Sequence, residues 1–144
     1  LPFVREQIRW SIGVIFLAIG FNCAILIIIS SVFNNAVLLI TFLLLMAISL
    51  WSWRESKLEI CVDEQFLKVG RAKIERRFIA GAELLDQKSM SLARTRDLDP
   101  AAYLAIRFWI KTGVKVIISD MRDPTPYWLI SSKKAGDLVK ALGY

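Results

Sequence analysis

The residues best able to do chemistry in this chain gather in its last third. Asp120 and Asp123 stand three apart, Tyr127 follows, and Arg107 lies upstream in an apolar run. Carboxylates whose surroundings separate their pKa values can serve as general acid and base. The same residues also have a plainer use, and it is the one we expect. Asp120 and Asp123 flank Met121-Arg122, a turn in which aspartates cap backbone N–H groups. Arg107 can then pair with Asp120 or Asp123 across a hairpin, an exposed contact of ~0.2–1 kcal/mol. The chain has no histidine, so Ser–His and Cys–His pairs are excluded, and it has no glycine-rich phosphate loop. Cys23 and Cys61 are the only cysteines, too few for a zinc or other transition-metal site, and no disulfide is expected. The expectation is a protein that is not an enzyme, with no cofactor.

Basic side chains suggest binding instead. Arg71, Lys73, Arg76 and Arg77 surround Glu75, and Lys133 and Lys134 stand where a helix begins, against its dipole. With Arg107 and Trp128 they are the candidate contacts for a protein partner or for anionic lipid headgroups, where each basic group contributes ~1 kcal/mol. The net charge is +6, and residues 58–144 hold 15 basic against 11 acidic side chains. This surplus suits a lipid surface and falls short of the concentrated stripe that nucleic acid requires.

The elements that must position these groups divide at residue 57. No charged residue occurs from Trp10 to Trp53. The run reads as two spans, about 10–30 and 36–53, since ~20 helical residues cross a core of ~30 Å. "SVFNN" (Ser31–Asn35) makes the bend. Arg5, Arg9, Arg54 and Lys57 flank the spans and the bend is uncharged, so the positive-inside rule puts both termini in the cytoplasm. Trp10, Trp51 and Trp53 fall at that same interface. The first run exceeds a signal-peptide core and is followed directly by a second span. Gly13, Gly20 and Ala24 share one helical face, expected to pack the second span near Thr41 and Ala47; the alternative is a partner subunit or a second copy. Asn22, near mid-depth, requires a hydrogen-bond partner.

Residues 58–144 alternate as strands. Leu58–Val62 and Phe66–Val69 form a hairpin, Gly70-Arg71 reverses the chain into Ala72–Glu75, and Phe78–Asp86 follows with Gly81 as a bulge. Ser89–Pro100 is a short helix or loop. Ala102–Ile110 and Val114–Asp120 are expected to pair through Lys111-Thr112-Gly113. Tyr127–Ser132 is the last strand and Lys133–Tyr144 an amphipathic helix. Pro124 and Pro126 exclude a central strand at 123–126 and make a stiff connection into Tyr127. Of the pairs Tyr127/Leu129 and Trp128/Ile130, one faces the core and the other is covered or open to a partner. About seven antiparallel strands and a terminal helix predict an α+β membrane protein: a hairpin (1–57), then a small antiparallel barrel (58–144) similar to bacterial pleckstrin-homology-like domains.

The stretch from Ala101 to Leu142 resembles the C-terminal half of the actinobacterial membrane-protein family called domain of unknown function 3093. Asp123-Pro124-Thr125-Pro126-Tyr127-Trp128 carry the likeness, with Ala102-Tyr103, Arg107 and Ser132 in matching places. Where that family tends to place Arg and Pro at the start of the last helix, this chain has Lys133, Lys134 and Ala135. The resemblance implies a bacterial cytoplasmic-membrane protein and brings no activity. The expected role is a membrane-anchored binding or scaffolding module; the alternative is an accessory subunit of a larger membrane assembly.

Overall fold

The structure, a computed structural model, describes residues 4–144. Its elements run β1 (Val4–Ile8), α1 (Ile12–Val32), α2 (Asn35–Glu55), β2 (Leu58–Val62), β3 (Phe66–Val69), β4 (Ala72–Glu75), a 3₁₀ turn (Arg76–Phe78), β5 (Ile79–Leu85), α3 (Gln87–Arg94), β6 (Tyr103–Ala105), β7 (Gly113–Ile118), β8 (Tyr127–Ser131) and α4 (Ala135–Leu142). They form two compact units, one of helices (9–57) and one of strands.

In the helical unit, α1 and α2 are each 21 residues long and contain no buried residue. Both are long and apolar enough to cross a membrane. Each begins where a side chain supplies the missing acceptor: Ser11 receives Val14 N at 3.3 Å and Asn34 receives Val37 N at 3.1 Å. The polar side chains inside the helices also find partners. Ser30 and Ser31 donate to Ile27 O, Thr41 donates to Val37 O, and Asn22 Nδ2 donates to Ser49 Oγ at 2.9 Å. Asn22 thus bonds the other helix. The glycine face does not behave as expected. Gly13, Gly20 and Ala24 are exposed, and a Cβ at Gly20 would meet nothing within 4 Å. The partly covered residues of α1 are Val14, Ala18, Asn22, Ile25, Leu26 and Ile29 instead, because Asn22 turns its own face toward Ser49.

The strand unit is α+β and mostly antiparallel. One sheet has the order β1-β2-β3-β4, which we call sheet A, and the other β5-β7-β8-β6, sheet B. Two features differ from the sequence expectation. First, residues 4–8 are a strand paired with β2 from Val4↔Val62 to Ile8↔Leu58. They belong with 58–144, so the helical hairpin is an insertion between β1 and β2 rather than the whole of 1–57. Second, 102–110 is not one long strand in a hairpin with 114–120. Only Tyr103–Ala105 is extended, and it pairs with β8 in parallel. The chain then turns at 107–110 because Arg94 and Ser131 hold that backbone, as described below. The β2–β3–β4 meander, the reversal at Gly70 (φ +60°) and the irregularity beside Gly81 are as expected.

The inner face of sheet A (Ile8, Leu58, Ile60, Val62, Leu67, Val69, Ile74) meets Val114, Val116, Trp128 and Ile130 of sheet B in one core. α4 contributes Ala135, Leu138, Ala141 and Leu142 to it. Gly143, at φ +89°, ends α4, its N–H bonding back to Lys140 O. The far face of sheet B is covered too: Leu85, Met90, Tyr127 and Leu129 form a second cluster with Ala93 of α3. Both faces of Tyr127–Ser131 are therefore buried.

Candidate functional site

Two places concentrate polar and charged groups in the strand unit. The first is the outer face of sheet A. Inner residues alternate with Arg5, Gln7, Glu59, Cys61, Phe66, Lys68, Lys73 and Glu75, as strand pleating dictates. Register aligns four of these directly across the sheet: Arg5↔Cys61, Cys61↔Lys68 and Lys68↔Lys73. Arg5 is held by Glu59, with Nη2 to Oε1 at 2.6 Å, and this bond raises its already high pKa. Glu75 binds Arg77 at 2.6 Å. Both carboxylates of the face are thus engaged by arginines. Lys73 Nζ lies 3.6 Å from the Phe66 ring centroid, and Lys68 is exposed. Arg71 is exposed at the β3–β4 turn, while Arg76 reaches back to Asp63 O. Of the basic cluster read from sequence, Arg71 and Lys73 belong to this face and Arg77 to its rim. Lys68 and Arg5 were missed; only the strand register brings them into line.

The second place is a polar hub at the end of β8. Ser131 and Ser132 are both 0% exposed. Ser131 Oγ accepts from Arg94 Nη2 at 3.0 Å and from Arg107 N at 2.9 Å. Arg94 Nη2 also donates to Ile110 O at 2.6 Å, so one guanidinium pins the 107–110 turn against β8. Burial lowers the pKa of both Arg94 and Arg107, and Arg94 Nε is buried with no hydrogen-bond partner among the described residues. Ser132 Oγ donates to Glu6 Oε2, and Lys133 N donates to Glu6 Oε1 at 2.8 Å. Glu6 is itself buried, 8% exposed. Sequence reading missed it: in "VREQI" it looks like a solvated charge beside a span. The anion at the start of α4 is internal, the Glu6 carboxylate, and it bonds the backbone of Lys133 while the Lys133 and Lys134 side chains are exposed.

Several sequence-derived candidates prove structural. Trp128 is 5% exposed, its ring 4.9 Å from that of Tyr103, so it is core and not a contact surface. Tyr127 Oη accepts from Asp99 N and donates to Asp97 O, stapling that loop. Asp120 accepts from Arg122 N and Nε, Asp123 from Thr125 N. The Arg122 N–H holds the Asp120 carboxyl below its ordinary range. Arg107 does not pair with these aspartates. It bonds Ser131, which lies opposite Gly113, whereas Asp120 follows Ile118 at the other end of β7. Pro124 and Pro126 sit in the connection before β8, where missing N–H groups cost nothing. Among the described residues no group of three His, Cys, Asp or Glu side chains could hold a metal, and both cysteines are free.

Residues 4–142 match the model of the family described as Protein of unknown function (DUF3093). The chain belongs to that family. No curated protein and no solved structure matches it.

Proposed function

From membership in a family without an assigned activity, we propose that this protein is a membrane-anchored cytoplasmic binding module. The observation that carries the reading is the surface of the hairpin. Both helices are apolar on every side, bury nothing in their own unit, and satisfy their polar side chains internally. That combination is costly in water and suited to lipid. Arg9, Arg54 and Lys57 lie at the termini side of the hairpin and the bend is uncharged, so the strand unit belongs on the cytoplasmic side. We read this unit as a pleckstrin-homology-like scaffold for docking, a reading supported by two four-stranded sheets that share one core with a terminal helix. The polar constellations described above are spoken for by turns and backbone, which favours docking over catalysis. Flotation of the full chain with membranes, followed by alkaline carbonate, tests the anchor. Retention in the bilayer is expected; release into the supernatant would remove the reading.

A second reading, an accessory subunit, is favoured by one observation: the exposed Gly13, Gly20 and Ala24 face, which α2 leaves open. Crosslinking through a cysteine at Gly20 in native membranes would then capture a different membrane protein, and a cysteine at Ile25, turned toward α2, would not.

A further inference from the structure

We infer that the hairpin dimerises in the membrane, a second copy of this chain filling the groove along one side of α1 and α2. This rests on the membrane-anchored reading and names a partner for the anchor. The groove is continuous. It runs from Trp10 and Trp53 at the termini end to Ser30 and Asn35 at the bend, in two stretches of about 530 and 460 Å³ that share Leu26 and Phe42. Between those ends its lining is apolar except for the Asn22–Ser49 pair and the Cys23 thiol.

The polar pair decides what occupies the groove. Asn22 is the middle residue of α1, a helix of spanning length, so it lies near the centre of the bilayer. Its carboxamide has two donor protons and an acceptor oxygen. One proton goes to Ser49 Oγ at 2.9 Å. Among the described residues the other proton, the Asn22 Oδ1 atom and the Ser49 hydroxyl proton have no further partner. The pair is joined, but half its capacity is unused. Acyl chains would fill the volume and leave that capacity unmet, since hydrocarbon offers neither donor nor acceptor. A second copy meets it. A two-fold axis along the membrane normal keeps both copies at one depth and sets like residues opposite each other. The free N–H of Asn22 then donates to Oδ1 of the partner's Asn22, and the reverse bond forms equally, with each bond to Ser49 kept. Two hairpins meeting groove to groove make a four-helix bundle whose core positions are the groove residues themselves. A single asparagine at such a position fixes register and copy number. Hydrogen bonds of this kind between membrane helices strengthen association about three- to 30-fold.

The test is copper-phenanthroline oxidation of the full chain in liposomes at low protein density, read on non-reducing gels. Cys61→Ala leaves Cys23, in the groove beside Asn22, as the one thiol. It should give a disulfide-linked dimer. Phe21→Cys, in a Cys23→Ala, Cys61→Ala background, is exposed near the same depth but outside the groove and should not. Asn22→Leu should weaken dimerisation by the factor given above. Because it also removes the bond to Ser49 inside the hairpin, Ile19→Trp is the second variant. Ile19 lines the groove and is exposed, so an indole there takes the second copy's space and leaves Asn22 and Ser49 in place. It should abolish the crosslink. No dimer at Cys23, equal yields from Cys23 and Phe21→Cys, or parent-level crosslinking in Asn22→Leu or Ile19→Trp would overturn the inference. So would capture of a different protein at Cys23 in native membranes in place of the dimer. Failure of the anchor itself is a separate result: the chain would not float with the liposomes at all.

Discussion

Replacing Glu6 with alanine should destabilise the strand unit far more than a surface glutamate would. The carboxylate accepts from Ser132 Oγ and from Lys133 N, 126 and 127 residues away in sequence, and is itself buried. Removing it leaves two donors without acceptors in a site that water enters poorly. An unsatisfied buried group costs ~1–3 kcal/mol. The Ser132 hydroxyl can rotate to another acceptor and sits at the low end, while the fixed Lys133 N–H cannot, giving about 2–4 kcal/mol in all. Glu6→Gln keeps one acceptor oxygen but turns an NH₂ toward a donor, and should cost about half as much. The assay is denaturant unfolding of the full chain in micelles, followed by near-ultraviolet dichroism of the Tyr103–Trp128 pair. A double-mutant cycle with Ser132→Ala should return a coupling of about 1 kcal/mol or more. A Glu6→Ala variant within ~0.5 kcal/mol of the parent, or additivity with Ser132→Ala, would refute the reasoning.

Other outcomes follow from the same geometry. Trp128→Ala should cost about 3–5 kcal/mol in the same unfolding assay, because the ring is core rather than a contact surface. Gly113→Ala should cost ~1–3 kcal/mol or more, since its Cβ would collide with Ile130 O and lie 2.9 Å from Met90. Asn22→Val should weaken hairpin packing by roughly 0.6–2 kcal/mol, read by steric-trap or denaturant unfolding in bilayers. Asp86 caps α3 through Ser89 N at 2.8 Å, which holds its carboxyl below the ordinary range. That contribution is complete above the unfolded value near ~4 and is lost as pH falls through the depressed one. The advantage of the parent over Asp86→Asn should therefore shrink on acidification, as seen in stability measured down the pH scale.

How much of this was legible beforehand depended on the range of the signal. The hairpin, the β2–β3–β4 meander and the last helix are written in local periodicity and in Gly70, and the sequence reading finds them within a few residues. β1 was not legible. Its five residues adjoin the first apolar run, Arg5 and Arg9 read as flanking charges, and the inward Glu6 breaks the apolar alternation that marks a strand. Its partners, Ser132 and Lys133, lie at the far end of the chain. "AYLAIRFWI" read as one strand because its Tyr, Ile, Phe and Trp residues favour extension. What shortens it is tertiary: Arg94 bonding Ile110 O and Ser131 bonding Arg107 N. For "YWLIS" the alternation was visible, but not that α3 covers the second face. The cationic row on sheet A failed for the same reason as β1, since pairing Arg5 with Cys61 and Lys68 with Lys73 is a property of register. One practical consequence is that residues 58–144 alone lack β1 and expose the inner edge of β2. That fragment should show molten amide spectra where the full chain in micelles gives dispersed ones.

The proposed two-span topology fixes which side of a bilayer each part occupies. In a Cys23→Ala, Cys61→Ala background, single cysteines at Asn34 and at Lys134 can be probed with an impermeant maleimide, in intact cells and after permeabilisation. Asn34→Cys should react in intact cells and Lys134→Cys only once the membrane is opened. Reaction of Lys134→Cys from outside, or of neither position before permeabilisation and both after it, would contradict this topology.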